Sequence, residues 1–211
     1  MKHVSTILSL LALGFLLSAP VAEAQVKADP FHFGLGATAT WMRDAGNPAN
    51  GDSDQEGLYL QKGTATANFA AAGASLLPLP TGLNGTNMTD ISFEISGFPG
   101  ADGEPFAGGP FGPSHGYCGA GAPRFNVTSS SGTCFLGCNA GDKTHLASGW
   151  WKVNFHTPFT NYAGCTSAPT AITSIDVILD EGTDLGPGNV VLDNITIKRA
   201  SPAATFVIQH H

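Results

Sequence analysis

The chain has 211 residues, a formal net charge of −7 at pH 7 and only 12% charged residues, against about 25% in ordinary soluble proteins. An acidic chain with no basic stripe has nothing to neutralise phosphates with, which excludes nucleic acid and anionic membrane surfaces as partners. Its 27 Gly and 14 Pro would suit disorder, but 42% of residues are hydrophobic and 13 are Phe, so a single folded domain with long Gly-rich loops is expected.

In chain order, Lys2 precedes an apolar run at residues 7–17, Ser18-Ala19-Pro20 breaks it, and Ala22-Glu23-Ala24 places small residues before Gln25. These are the parts of a cleavable signal peptide over residues 1–24. A membrane span needs roughly 20 apolar residues, and no segment supplies them, so no span is expected after cleavage. The expected location is secreted and extracellular, or periplasmic. One β-sandwich domain is expected over residues 25–198, with residues 199–211 as a flexible tail that carries no anchor.

Short strands are predicted at 37–42, 57–62 and 65–69, while the Ala content of 68–74 would also suit a helix, limited by Gly73. Residues 90–96 alternate cleanly, with Ile91, Phe93 and Ile95 on one face. The long Gly/Pro-rich stretch 97–123 reads as loop. Residues 124–128 alternate and end in a turn at 129–132. Residues 174–179 place Ile175, Val177 and Leu179 inward, and 189–198 is the last predicted strand. Short strands between turn clusters imply an all-β, antiparallel two-sheet sandwich, in jelly-roll form ahead of an immunoglobulin-like one.

Cys118, Cys134, Cys138 and Cys165 form an even set, which in an oxidising compartment favours two disulfides over a four-thiolate zinc site. If Cys134 and Cys138 share one extended strand they sit about 13 Å apart, beyond disulfide reach. That favours pairings that separate them, such as Cys118–Cys138 with Cys134–Cys165. A turn at Gly137 would reopen the question.

Residues 148–156 (SGWWKVNFH) split, as a strand, into an apolar face of Trp151, Val153 and Phe155 and a second face of Trp150, Lys152, Asn154 and His156. An indole beside an amine, an amide and an imidazole suits a sugar: a plate for stacking with polar groups around it. The alternative places Trp150 under a loop at the strand start. Tyr59, Tyr117 and Tyr162 are further aromatic candidates from loops. Asp193 shares parity with Val191, Ile195 and Ile197, so a regular strand would aim its carboxylate at the core. Either a bulge turns it outward or it meets a partner, and Asp180, with Glu181 and Asp184, is positioned in sequence to help it hold a structural calcium.

The acidic run 51–57 matches the first positions of a calcium loop, but Gly63 stands where the closing Glu is required. Gly112-Pro113-Ser114-His115-Gly116 has the spacing of a nucleophile elbow without the strand and helix that one needs. No catalytic residue is assigned. Four N-x-[ST] sequons begin at Asn84, Asn87, Asn126 and Asn194.

The closing run Val190-Val191-Leu192-Asp193-Asn194-Ile195-Thr196-Ile197 resembles the final strand of secreted jelly-roll domains related to carbohydrate-binding modules, and residues 173–182 look like the penultimate strand of that group. Pro123 to Val127 with Gly137-Cys138 is similar to a pattern of uncharacterised secreted bacterial proteins. The resemblance implies a sandwich fold, sugar binding by analogy, and a structural calcium at Asp193. The first expectation is a non-enzymatic protein that binds carbohydrate or another extracellular polymer. The alternative is a structural or adhesive envelope protein with a protein partner, and a secreted hydrolase comes third.

Overall fold

The computed structural model describes residues 24–51, 55–62, 70–96, 118, 121–180, 188–208 and 210, with the backbone alone for Ser148. Residues 1–23 of the signal segment, the 65–69 strand, Asp52 and Asp54, Ser114, Tyr117, Glu181 and Asp184 lie outside them.

Alternating apolar residues that must leave water on one side produce the observed strands: β1 Lys27–Phe33, β2 Ala37–Met42, β3 Gly57–Lys62, β4 Ala71–Leu77, β5 Met88–Ser96, β6 Arg124–Ser129, β7 Gly132–Gly137, β8 Asp142–His145, β9 Trp151–His156, β10 Ile172–Leu179, β11 Gly188–Ala200 and β12 Ala203–Val207. They build two antiparallel sheets, one ordered β1-β4-β10-β6-β7, the other β2-β3-β11-β5-β9-β8 with β12 also on β11. Set aside β1, β2, β8 and β12, and β3-β11-β5-β9 faces β4-β10-β6-β7. This is the strand order of a jelly roll, the preferred form of the expected sandwich.

The inner faces are those the alternation marked. Ile91, Phe93 and Ile95 of β5 and Ile175, Val177 and Leu179 of β10 are all at most 1% exposed. Phe93 and Phe155 from one sheet meet Phe125 from the other, with ring centroids 5.3 Å (Phe93–Phe125) and 5.8 Å (Phe125–Phe155) apart. Offset and edge-on rings at this spacing add to the burial of their area.

Two expectations are corrected. The stretch that would suit a helix near 68–74 is strand where it is described, as β4 from Ala71. Pairing to β1 on one side and β10 on the other satisfies its backbone groups, and that tertiary gain outweighs the weak helical preference of Ala. Gly73 is needed there, because a Cβ would approach the Val177 carbonyl oxygen to 2.5 Å and the Phe31 ring to 2.8 Å. The tail beyond residue 198 is not loose. β12 pairs with Thr196–Ala200 of β11, Ile208 is 5% exposed and donates its N–H to the Ile195 carbonyl at 2.8 Å, and the His210 ring lies 5.9 Å from that of Trp41.

Candidate functional site

The predicted face of β9 divides differently from its sequence reading. Trp150 precedes the strand and is 5% exposed, packed with Ala45 and Val191 and flanked by Met42, Tyr59 and Leu146. The β2–β3 loop that carries Ala45 covers this part of the sheet's outer face. Trp150 is therefore core for that loop and offers no stacking plate, since burying an indole against apolar neighbours outweighs leaving it in water. Tyr59 belongs to the same cluster, its hydroxyl donating to Gln61 Oε1 at 2.7 Å.

Lys152, Asn154 and His156 do share one outer face, opposite Glu94, Ser92 and Asp90 of β5. His156 Nδ1 donates to Asp90 Oδ1 at 3.0 Å and Nε2 reaches Asp142 Oδ2 at 2.6 Å. Asn154 Nδ2 donates to the same Asp90 oxygen at 3.2 Å. The imidazole thus bridges a carboxylate on β5 and one at the start of β8. Hydrogen bonding to Asp90, then to Asp142, holds His156 above its ordinary value. Burial pushes Asp90 upward, but hydrogen bonds from His156, Asn154 and Thr89 and the Lys198 charge outweigh it, so its carboxyl lies below the ordinary value.

These directions have opposite consequences. A raised imidazole stabilises the fold fully below its unfolded value, near 6.5, and that contribution is lost as pH rises through the folded value. A depressed carboxylate contributes above its unfolded value, 3.8, and loses that contribution as pH falls. The His156 side chain is 42% exposed, so solvent screens the pair and the effect is small. Melting temperature measured from pH 6 to 9 should decline by about 1–3 °C more in the parent than in His156→Gln. Parallel curves would show that the bridge contributes nothing.

Asp193 is turned out of the core by a bulge. Between the pairs Asp193↔Glu94 and Thr196↔Ser92, β11 carries one extra residue, and Asn194 has a positive φ of 44°. The extra residue resets the parity, so Leu192 and Ile195 both face inward. The carboxylate lands beneath the β2–β3 loop, 6% exposed. It accepts hydrogen bonds from the Asn47 N–H at 2.7 Å, Asn50 Nδ2 at 2.8 Å and the Asn194 N–H at 2.6 Å. Asn47 Nδ2 donates to Glu94 Oε2 at 2.7 Å. Asp180 is not part of this set. It directly follows β10 of the opposite sheet, where both its oxygens take the Arg124 guanidinium at 2.5 Å. Among the described residues no group of three or more His, Cys, Asp or Glu side chains is arranged to hold a metal ion.

Apart from Tyr162, chemistry that the sequence did not single out gathers at the β6–β7 edge. A groove of about 520 Å³ is lined by Arg124, Phe135, Gly137, Asn139, Asn161 and Tyr162 and their neighbours. Phe135 is 39% exposed, its parity opposite to inward Cys134 and Leu136. That alternation was the signal available for it. Arg124 stands 5.5 Å from its ring centroid. Asn139 and Asn161 are exposed at the rim. Tyr162 packs its ring on Phe155, and its hydroxyl accepts the His156 N–H at 3.2 Å; burial pushes its phenol above the ordinary value.

Both disulfides brace this groove, in the pairing favoured above. Cys134–Cys165, with Cα atoms 4.7 Å apart, ties the 161–165 segment to β7, and the Phe135 N–H donates to the Ala163 carbonyl at 2.8 Å. Cys118–Cys138, with Cα atoms 5.2 Å apart, ties the opposite wall, where the Cys138 N–H donates to the Gly121 carbonyl at 2.9 Å. Gly137 keeps the floor open: a Cβ there would meet Asn139 Oδ1 at 2.8 Å and the Gly121 oxygen at 2.9 Å.

No protein-family model matches the chain, and no curated protein matches it. Among solved structures it is similar to the family 11 carbohydrate-binding module from Clostridium thermocellum in complex with a β-1,3-1,4-mixed-linked tetrasaccharide. The TM-score is 0.43 at 15% identity, over 90% of this chain and 100% of that one. The family 11 module of a cellulosomal cellulase of the same organism gives 0.42 at 14%, over 90% and 93%. The module CBM27-1 of Caldicellulosiruptor saccharolyticus in complex with mannohexaose gives 0.32 at 15%, over 75% and 80%. No residue of this chain takes a role from these likenesses.

Proposed function

We propose that this chain is an exported, non-enzymatic β-sandwich that binds carbohydrate in the groove at the β6–β7 edge. The observation that carries the reading is the half-exposed Phe135 ring in a groove that exposed Asn139 and Asn161 line together with Tyr162. A pyranose has apolar C–H faces and a rim of hydroxyls. Binding it takes an aromatic surface and a few fixed polar groups, and this groove offers both. Export agrees with the two disulfides and with the absence, among the described residues, of a helix long and apolar enough to cross a membrane.

The test is Phe135→Ala, titrated calorimetrically against neutral β-glucan, mannan and xylan oligosaccharides. An aromatic contact of about 1 kcal/mol or more beyond its area predicts at least about a tenfold loss of affinity. Binding unchanged by the substitution would overturn the reading.

A second reading, a structural or adhesive envelope protein, is favoured by Phe33 at the end of β1 and Leu35 in the turn after it, 54% and 76% exposed. On that reading the parent chain binds none of the saccharides.

A further inference from the structure

Among the described residues the groove is lined by one cation, and the fold has already used it. The Arg124 guanidinium gives Nη1 and Nη2 to the two oxygens of Asp180 in a fork at 2.5 Å each, and gives Nε to Asn126 Oδ1 at 2.9 Å. The side chains of Arg124 and Asp180 are 23% and 30% exposed, so the pair is held at the groove while its charges cancel. A bidentate fork is the geometry in which a guanidinium would otherwise take a ligand carboxylate. With that fork closed by Asp180, an acidic ligand would have to displace a carboxylate already in place.

The other groups there add no charge. Tyr162 is a hydroxyl, and Asn139 and Asn161 are amides. The neighbouring Lys143 does not line the groove; its Nζ donates to the carbonyls of Asn139 and Gly141 at 2.9 Å each. Asp142 is engaged by His156. The chain as a whole carries −7, which repels polyanions further.

Resting on the carbohydrate reading above, we infer that the Arg124–Asp180 fork makes the groove selective for neutral saccharides against uronic-acid polymers. Arg124 then acts as a flat, charge-compensated surface beside Phe135, and Asp180 sets selectivity without touching the sugar.

The experiment compares the parent, Asp180→Asn and the double variant Asp180→Asn/Arg124→Gln by calorimetry at low salt. The probes are neutral β-glucan, mannan and xylan oligosaccharides against oligogalacturonates and alginate oligomers. The parent is expected to bind a neutral oligomer at least about tenfold more tightly than any acidic one. Asp180→Asn releases the guanidinium, and its affinity for the acidic oligomers should rise about tenfold, the worth of one charge-assisted pair. The double variant, which has no guanidinium to release, should lose that gain. Circular dichroism and melting curves establish that each variant is folded.

A parent that binds acidic oligomers as tightly as neutral ones overturns the inference while leaving the carbohydrate reading standing. So does Asp180→Asn with no acidic gain. If the parent binds neither class, or Phe135→Ala leaves neutral binding intact, the carbohydrate reading falls and the inference with it.

Discussion

Phe125→Ala is expected to destabilise the fold by about 3–5 kcal/mol, the cost of truncating a fully buried aromatic. Phe125 is 0% exposed. It comes from β6 and contacts Phe93 of β5 and Phe155 of β9, so one side chain joins the two sheets at their centre. The sheets are held apart by many other inward residues at the ordinary spacing of about 10 Å, and they cannot close over the missing ring. The loss is therefore transfer free energy plus a persistent cavity. For a chain of this length the melting temperature should fall by more than about 6 °C. Phe135→Ala is the internal control. It lies on the adjacent strand with the opposite parity, exposed, and its truncation should leave stability within about 0.5–1 kcal/mol of the parent. Equal losses from the two substitutions would show that the assignment of inner and outer faces in this hairpin is wrong.

The paired substitution Cys134→Ala/Cys165→Ala should cost about 3–4 kcal/mol. The bridge spans 31 residues, and closing a loop of that length in the unfolded chain corresponds to roughly 3.7 kcal/mol at 25 °C in the chain-entropy account. Alanine suits the site because both cysteines are buried, 4% and 8% exposed, and a serine hydroxyl there would need a partner. A local consequence should accompany the global one. Without the bridge, the segment bearing Asn161 and Tyr162 is held to β7 by the single Phe135–Ala163 backbone bond. Saccharide affinity should fall in the folded variant at temperatures well below its melting point. Denaturant unfolding reads the first effect and calorimetry the second. Full affinity in a destabilised but folded variant would separate the bridge from the groove.

How legible the molecule was in its sequence depended on how local each signal was. The faces of β5 and β10 were readable because period-2 alternation is a property of consecutive residues. The cysteine pairing was readable in part, since distance along a strand forbids Cys134–Cys138. The β4 strand was misleading because small residues are compatible with several local structures, and only pairing on both edges decides among them. Trp150 was left between two readings for a related reason: parity says which residues share a face, but not what covers that face, and the structure takes the one in which a loop covers it. Ala45 and Val191, far away in sequence, do the covering.

Asp193 shows the boundary most clearly. Its parity with Val191 and Ile195 marked an inconsistency, and a bulge was one of its two resolutions. The structure uses both, turning the carboxylate outward and then supplying it with Asn47 and Asn50.

The sequence by itself determined the β-sandwich, the inward apolar residues of its principal strands and the separation of Cys134 from Cys138 into different bridges; which bridges form was decided by the fold. Those follow from alternation, turn chemistry and chain reach, which are fixed by neighbours along the chain. Only the tertiary structure decided where a ligand could sit. The groove draws Arg124, Phe135, Asn139 and Asn161 from segments that no periodicity connects, and it depends on two disulfides and on Asp180, which follows β10 beside β6. Its chemistry is a sum over side chains brought together by sheet order, and sheet order is a long-range property of the fold.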